Sequence, residues 1–376
     1  MSLLTSNNPS DIRRLALFRE MSRRFWFSGH SSVVGLVVLM LSVVLLQLAV
    51  QVYLNLWNRH FFDALERRDS YAMWYQAKLF FPLAAGSVAL AAISVWGRMT
   101  TQRKWRESMT QEIILAWSKK KHDGPFPSGT DGAENPEYRI AEDVRVATDA
   151  PIDLTLAFIS SGLTAATFFG VLWTVGGSLE LRLFGHYTEI PGYLVIGVIL
   201  YSTIMTSLML LMGRRMQSVI EGKNQAEAEF RAAAEVMRGD HPETPSQART
   251  IGERLQQRLD SVMAAWRDLR TQLIKTTLVS HSNFLMAPIA AYIMCVPKYG
   301  SGMMTLGEVT QSAAAFVTVQ GAINWVVDNY QRLADWRSSA RRVASLLYAI
   351  DNMEDQVAAP HSHHDSEPKP MSYNPG

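Results

Sequence analysis

The chain has 376 residues, of which 48% are hydrophobic and only 19% charged, with 10 Trp, 18 Met and a formal net charge of +2. A soluble protein carries about 25% charged residues, spread evenly, whereas six long stretches here hold no Asp, Glu, Lys or Arg at all. That pattern excludes a soluble enzyme, a secreted disulfide scaffold and a disordered chain, and no nucleic-acid partner is expected.

The charge-free stretches are 25–58, 79–97, 154–179, 190–212, 276–297 and 309–327. Crossing the hydrocarbon core takes about 20 apolar residues of helix, and about 18 is the usual threshold. The expectation is an all-α membrane protein with six transmembrane helices, spanning about 31–56, 79–97, 154–179, 190–212, 276–297 and 303–327. Residues 1–30 precede these as a cytoplasmic segment, 31–350 form one transmembrane domain, and 351–376 read as a disordered tail. The first apolar run is too long for a signal-peptide core and is expected to stay in the mature protein. The single cysteine, Cys295, lies in the fifth run, so the chain forms no internal disulfide.

Sidedness follows from the basic residues. The termini and even-numbered loops hold 30 Lys and Arg, and the odd-numbered loops hold 6. The positive-inside rule places both termini and the even loops in the cytoplasm. The two basic loops, 98–153 and 213–275, are too long to lack structure in a compact protein. Residues 111–117 continue the second span as helix, and helix resumes at Tyr138 to feed the third. Residues 217–238 are rich in helix formers and run out of the fourth span. After the breakers Asp240, Pro242 and Pro245, Ile251, Leu255, Leu259, Val262 and Trp266 return at helical spacing. Six spans with two long cytoplasmic helical excursions match the transmembrane domain of ABC exporter-type transporters at the level of fold.

Several polar residues lie inside the apolar runs. Glu308 falls near the outer end of the sixth span, where a charge costs less than the 2.5–3.5 kcal/mol or so of mid-bilayer; an interfacial carboxylate wetted by headgroups is the plainer reading. Gln311, Gln320 and Asn324 continue along that helix, with Asp328 one turn beyond. Gln320 and Asn324 share a face, and amides facing lipid are unfavourable, so the four are cavity-lining candidates. His281, in the fifth span, is a proton-relay candidate because its unperturbed pKa is about 6.5; hydrogen bonding between helices is the plainer role. Trp57, Tyr53, Trp74, Trp96, Trp173 and Tyr193 flank the spans and read as the aromatic belt. His361-Ser-His-His364 sits among tail-like residues, and no metal or other cofactor is assigned.

Seven segments, in order, resemble the SbmA/BacA family and its ATPase-bearing ABC relatives. They are Trp57-Asn-Arg-His-Phe-Phe-Asp-Ala-Leu-Glu-Arg-Arg-Asp69, Asn135-Pro-Glu-Tyr-Arg-Ile-Ala-Glu-Asp-Val-Arg145, Ile190-Pro-Gly-Tyr-Leu194, Asn224-Gln-Ala-Glu-Ala-Glu-Phe-Arg231, Thr305-Leu-Gly-Glu-Val-Thr-Gln311, Gln320-Gly-Ala-Ile-Asn-Trp325 and Leu333-Ala-Asp-Trp-Arg337. No GxxxxGK[ST] loop occurs, and 26 residues follow Ile350, so this chain is not expected to be an enzyme. The resemblance implies a proton-driven importer of peptides, modified peptide antibiotics included, working as a homodimer in the bacterial inner membrane. Glu142 and Glu221 match acidic positions of that group and, with Asp143 and Glu227, join Glu308 and His281 as proton-coupling candidates; Glu229 is weaker. The plain alternative for the α-helical glutamates is i,i+4 pairing, as Glu227 with Arg231. Two other functions compete: the membrane subunit of an ABC transporter with a separate ATPase chain, docking near 124–135 and 238–248, and a non-transporting protein that organises envelope lipids.

Overall fold

The computed structural model describes residues 9–27, 31–120, 135–183, 186–239 and 245–358. These form nine α-helices and one hairpin: α1 (Pro9–Phe27), α2 (Ser31–Glu66), α3 (Ser70–Lys120), α4 (Pro136–Tyr138), α5 (Val144–Gly176), β1 (Ser178–Leu183), β2 (His186–Pro191), α6 (Tyr193–Gly213), α7 (Met216–Gly239), α8 (Pro245–Gly300) and α9 (Leu306–Ala358). A π-helical segment, Arg139–Asp143, joins α4 to α5. Among the described residues, five helices are long and apolar enough to cross a membrane, within Ser32–Glu66, Ser70–Lys119, Pro136–Gly176, Tyr193–Val236 and Arg249–Gly300. The chain is therefore a multi-pass membrane protein. At most 28% of each apolar window is buried inside the protein, which leaves the remaining apolar surface for lipid or another polypeptide.

The sixth expected span falls on α9, which is not among the five. Its polar residues are the reason. Thr310, Gln311, Ser312 and Gln320 are buried beside Ala313, Ala315, Phe316 and Val319. A helix screened by its neighbours needs no apolar circumference, and α9 falls below the hydropathy of a lipid-facing span.

The chain divides into two compact units. The first comprises Met1–Val43, Ala92–Leu156 and Tyr330–Gly376. Its core gathers Met40, Trp105, Met109, Ile113, Val144, Val343 and Leu346. Leu17, Phe18, Met21, Phe25 and Trp26, at helical spacing on α1, pack on that core, and the Trp26 and Trp105 rings meet edge to face at 5.2 Å. The first thirty residues thus contain a structured amphipathic helix where only a segment was expected.

The second unit comprises Val44–Ala91 and Ala157–Asn329. Phe168, Leu172, Leu194, Val198, Ala291, Cys295, Phe316 and Val319 form its core. The expected short outer loop after the third span is the β1–β2 hairpin, antiparallel from Ser178↔Pro191 to Leu183↔His186. Ile190 and Pro191 close β2 rather than open a helix, and α6 starts after Gly192, whose φ of +61° favours glycine. A Cβ there would lie 2.4 Å from the Trp173 ring. Lys298 Nζ donates to the Gly176 carbonyl at the C-terminal end of α5, a favourable place for a cation. Of the expected aromatic belt, Tyr53, Trp74, Trp96 and Trp173 are exposed. Tyr193 is buried and Trp57 is turned inward, donating to the Gln76 carbonyl at 2.8 Å; both pack the interior instead.

The two long basic stretches are helical over most of their described residues. α3 runs on to Lys120, α7 starts after a turn at Arg214 and Arg215, and α8 is unbroken from Pro245 to Gly300. Most of the two expected docking turns, and the tail histidines, lie outside the described residues.

Candidate functional site

Within the second unit, α9 carries polar side chains on two of its faces, and each face borders a cavity. On one side α6 and α8 complete a cavity of about 250 Å³ lined by Thr206, Asn283, Gln320, Asn324 and Asp328 among others. Thr206 Oγ1 donates to Asn324 Oδ1 at 3.0 Å, and Tyr201 donates to Asn283 Oδ1 at 3.1 Å. Gln320 is buried, and its Nε2 has no partner among the described residues. Asp328 closes this stripe one residue beyond the expected span. Its side chain is exposed and borders the cavity, and partial desolvation by the neighbouring helices raises its pKa above the usual aspartate value. Three of the four cavity-lining candidates therefore share one cavity. Gln311 is the correction: it is 2% exposed and lines neither cavity, and its backbone carbonyl accepts a bond from Asn55 Nδ2 at 3.1 Å. It sits on the side of α9 that faces α2.

On the other side of α9, α2 and α5 complete a larger cavity of about 630 Å³. Each helix contributes one stripe at helical spacing: Gln51, Asn55 and Asn58 from α2; Ser160, Ser161 and Thr164 from α5; Thr318, Gly321 and Trp325 from α9. Ser161 Oγ donates to the Ala322 carbonyl at 2.8 Å, and the Trp325 ring packs on Phe158 at 5.4 Å. Gly321 borders both cavities, with nothing within 4 Å of where a Cβ would stand. Sequence reasoning missed this site. The spacing of Gln51, Asn55 and Asn58 inside a charge-free run was its one signal.

At the N-terminus of α9 three carboxylates meet the unpaired backbone donors of the first turn. Asp63 Oδ1 accepts from Gly307 N at 2.9 Å, Glu66 Oε2 from Leu306 N at 3.0 Å, and Glu308 Oε2 from Thr305 N at 2.9 Å. Arg59 bridges them, donating to Glu308 at 2.8 Å and standing 3.8 Å from Asp63. Helix N-termini attract negative charge, and such charge-assisted bonds are the strong ones. Glu308 is part-exposed and bonded on both oxygens. It is a clamp that ties α9 to α2, and it explains why Arg59, Asp63 and Glu66 stand four and three residues apart.

The remaining carboxylate candidates are dispersed. Glu142 lies on the π-helical segment, bidentate with Arg145 at 2.5 and 3.1 Å. Its neighbour Asp143, 1% exposed, is bidentate with Arg342 of α9 at 2.8 and 2.6 Å and locks the first unit's core. Glu221 accepts from Gln217 one turn earlier. Glu227 pairs with Lys223 at 3.0 Å and accepts from Trp266 Nε1, with Arg231 a weaker electrostatic neighbour. Glu229 meets Arg258 across the α7–α8 packing. His281 is exposed on α8 beside Thr277 and Leu278 rather than bonded between helices. Of the six proton-coupling candidates none lines either cavity; Asp328 does. The described residues hold no cluster of metal-binding side chains.

Comparison with known proteins finds relatives named as ABC transporter proteins. Over 360 residues the chain is 25% identical to the inner membrane ABC transporter ATP-binding protein YddA of Escherichia coli, covering 93% of this chain and 62% of that protein. It is 21% identical over 341 residues to ABC transporter D family member 2, chloroplastic, of Arabidopsis thaliana, covering 89% of this chain and 46% of the plant protein. An ABC transporter ATP-binding protein of Haemophilus influenzae is 22% identical over 330 residues, 85% of this chain and 54% of that one. The chain thus spans about half to two thirds of the length of these relatives. The SbmA/BacA-like family matches residues 24–351, which hold α2 to α8 and most of α9, and the chain belongs to that family.

Proposed function

We propose that this chain is a membrane transporter, a proton-gradient-driven importer of peptides, modified peptide antibiotics included, that works as a homodimer in the bacterial inner membrane with both termini cytoplasmic and α9 as its sixth span. The observation that carries the reading is the pair of polar-lined cavities flanking α9. Amides and hydroxyls inside apolar helices are costly unless they serve a hydrated path or a partner. A protein that only organised lipids would have no use for them, and this weighs against the third reading. Asp328 supplies the proton site: desolvation raises its pKa, so it takes up a proton nearer neutral pH than a free aspartate does. Opening the cavity to water would lower that pKa again and release the proton, which links protonation to access.

Uptake of a labelled peptide into proteoliposomes containing only this protein, with and without an imposed pH gradient, is the test. Gradient-dependent uptake that a protonophore abolishes is expected, with Asp328→Asn removing it while the protein remains folded. Glu142→Gln and Glu221→Gln are the parallel variants for the two acidic positions matching the family. Uptake indifferent to the gradient, or unchanged in all three variants, refutes the coupling. A second reading, a membrane subunit served by a separate ATPase, is favoured by the names of the relatives and by the unmatched third or more of their length. Co-purification of an ATPase polypeptide, with ATP-dependent uptake when it is added back, would establish it.

A further inference from the structure

α1 has two faces, and the packing of the first unit uses only one of them. Leu17, Phe18, Met21 and Phe25 lie against the core, while Arg19, Arg23 and Phe27 fall at i, i+4 and i+8 along the exposed side. Among the described residues neither Arg19 nor Arg23 has an ion pair or hydrogen-bond partner. Arg24 beside them meets only the exposed Glu20, at 3.7 Å. Phe27 ends the helix 80% exposed. Five positions later, at Ser32, the first candidate membrane span opens. There Val34, Val38 and Leu41 form an outward ridge, 55%, 57% and 39% exposed, while Val33, Leu36 and Met40 turn inward. We propose that this surface binds an anionic phospholipid, with Arg19 and Arg23 holding the phosphate-bearing headgroup and Phe27 and the α2 ridge lying along the acyl chains.

The chemistry of the occupant follows from the order of these residues. Two cations come first, then an aromatic ring, then an aliphatic ridge, which is the order of parts in a phospholipid from head to tail. Guanidinium groups without carboxylate partners suit phosphate oxygens, which accept their N–H groups in a fork. A nucleic acid or an acidic polypeptide would satisfy the arginines and leave the ridge uncovered. A zwitterionic lipid brings its own cation beside the phosphate and so offers the arginines less. α3 adds to the positive field: Phe25 stacks on Trp105 at 6.0 Å, and the exposed Arg103 and half-buried Lys104 just before that tryptophan also have no partner among the described residues. Because the core holds the inward face of α1, the helix cannot lie on a membrane by that face as a free amphipathic helix does. The protein presents the arginines in a fixed line instead. Each basic residue at an anionic surface contributes about fivefold in affinity, so the pair should contribute about 25-fold.

The full chain, purified in neutral detergent and stripped of lipid, is titrated with phosphatidylglycerol and with phosphatidylcholine of the same acyl chains, and bound lipid is counted by native mass spectrometry. Phosphatidylglycerol is expected to bind about 25-fold more tightly, with the preference shrinking as salt is raised. Arg19→Gln combined with Arg23→Gln should bring it down to the level of phosphatidylcholine. Phe27→Ser should weaken both lipids alike. Glycerol 3-phosphate, which has the phosphate and no chains, should not compete. Both arginines lie outside the core, so the double variant is expected to keep its melting temperature; if it does not, Arg23→Glu alone is the second variant and should remove most of the preference. Equal binding of the two lipids by the unaltered protein, or a preference that survives these variants, overturns the site. Competition by glycerol 3-phosphate as effective as that of lipid would make it a free-phosphate site and overturns the lipid assignment. The measurement uses neither gradient nor cargo, so a failed uptake test leaves it standing, and its own failure leaves the transport reading standing.

Discussion

Replacing Gly307 by alanine sets two opposed effects against each other, and the structure decides the sign. In an open helical position Gly→Ala stabilises by about 1 kcal/mol. At Gly307 a Cβ would stand 2.2 Å from the Arg59 carbonyl oxygen and 2.3 Å from Asp63 Oδ1. The carboxylate can swing aside, but the carbonyl is α2 backbone, so α9 must retreat by about 1.2 Å to restore a 3.4 Å contact. That retreat stretches the 2.9 Å bond from Gly307 N to Asp63 and the 2.8 Å bond from Arg59 to Glu308 beyond hydrogen-bonding range. Overpacking costs about 1–3 kcal/mol and a lost bond to a charged group about 1.5–3 kcal/mol. The net expectation is destabilisation by about 2–5 kcal/mol. Gly321→Ala is the internal control, since nothing lies within 4 Å of its Cβ, and it should be neutral or slightly stabilising. Thermal unfolding of both variants in the same detergent reads the difference. A Gly307→Ala protein that melts at or above Gly321→Ala would refute the clamp.

Three further outcomes follow from the geometry. Arg342→Met leaves Asp143 charged at 1% exposure, and loss of about 3 kcal/mol is expected, the lower end of the buried-pair range because the Arg342 side chain is 43% exposed; an unchanged melting temperature would show that the pair is dispensable. Gln311→Met should leave peptide uptake within about twofold, whereas Asn324→Leu, which removes the Thr206 bond and the polar lining together, should lower it at least about tenfold; the reverse order would return Gln311 to the pathway. The pH profile of uptake should report Asp328 on the alkaline side of an ordinary aspartate, in keeping with its desolvation, and the profile should flatten in Asp328→Asn.

Much of the architecture is legible in the sequence because it rests on local signals. Charge-free runs of span length, a helix restart at Tyr138 and the Gln320–Asn324–Asp328 spacing each need only their own neighbourhood. The hairpin was equally local and still hidden. Leu179, Leu181 and Leu183 alternate with Glu180 and Arg182, a period of two too brief to stand out between two long apolar helices. The clamp and the larger cavity are different in kind. Asp63 meets Gly307 across 244 positions, and the cavity joins neutral residues whose common face exists only once three helices are in register. Their chemistry is unremarkable residue by residue, so no motif marks them. The glutamates that matched family motifs were visible for the opposite reason, and they turn out to be paired on helix surfaces.

The π-helical segment at Arg139–Asp143 acts as a phase setter. A π turn accommodates one residue more than an α turn, and one residue is about 100° of rotation around an α-helix. Deleting a single residue between 139 and 143 would leave α5 just as helical, just as long and just as apolar. It would nevertheless turn Val144, Ala147 and Ile152 away from the first unit's core by more than a quarter of a circle, while every composition-based measure of the span stayed the same. The face that α5 offers to the first unit's core thus depends on a count of residues upstream of it as much as on the residues themselves.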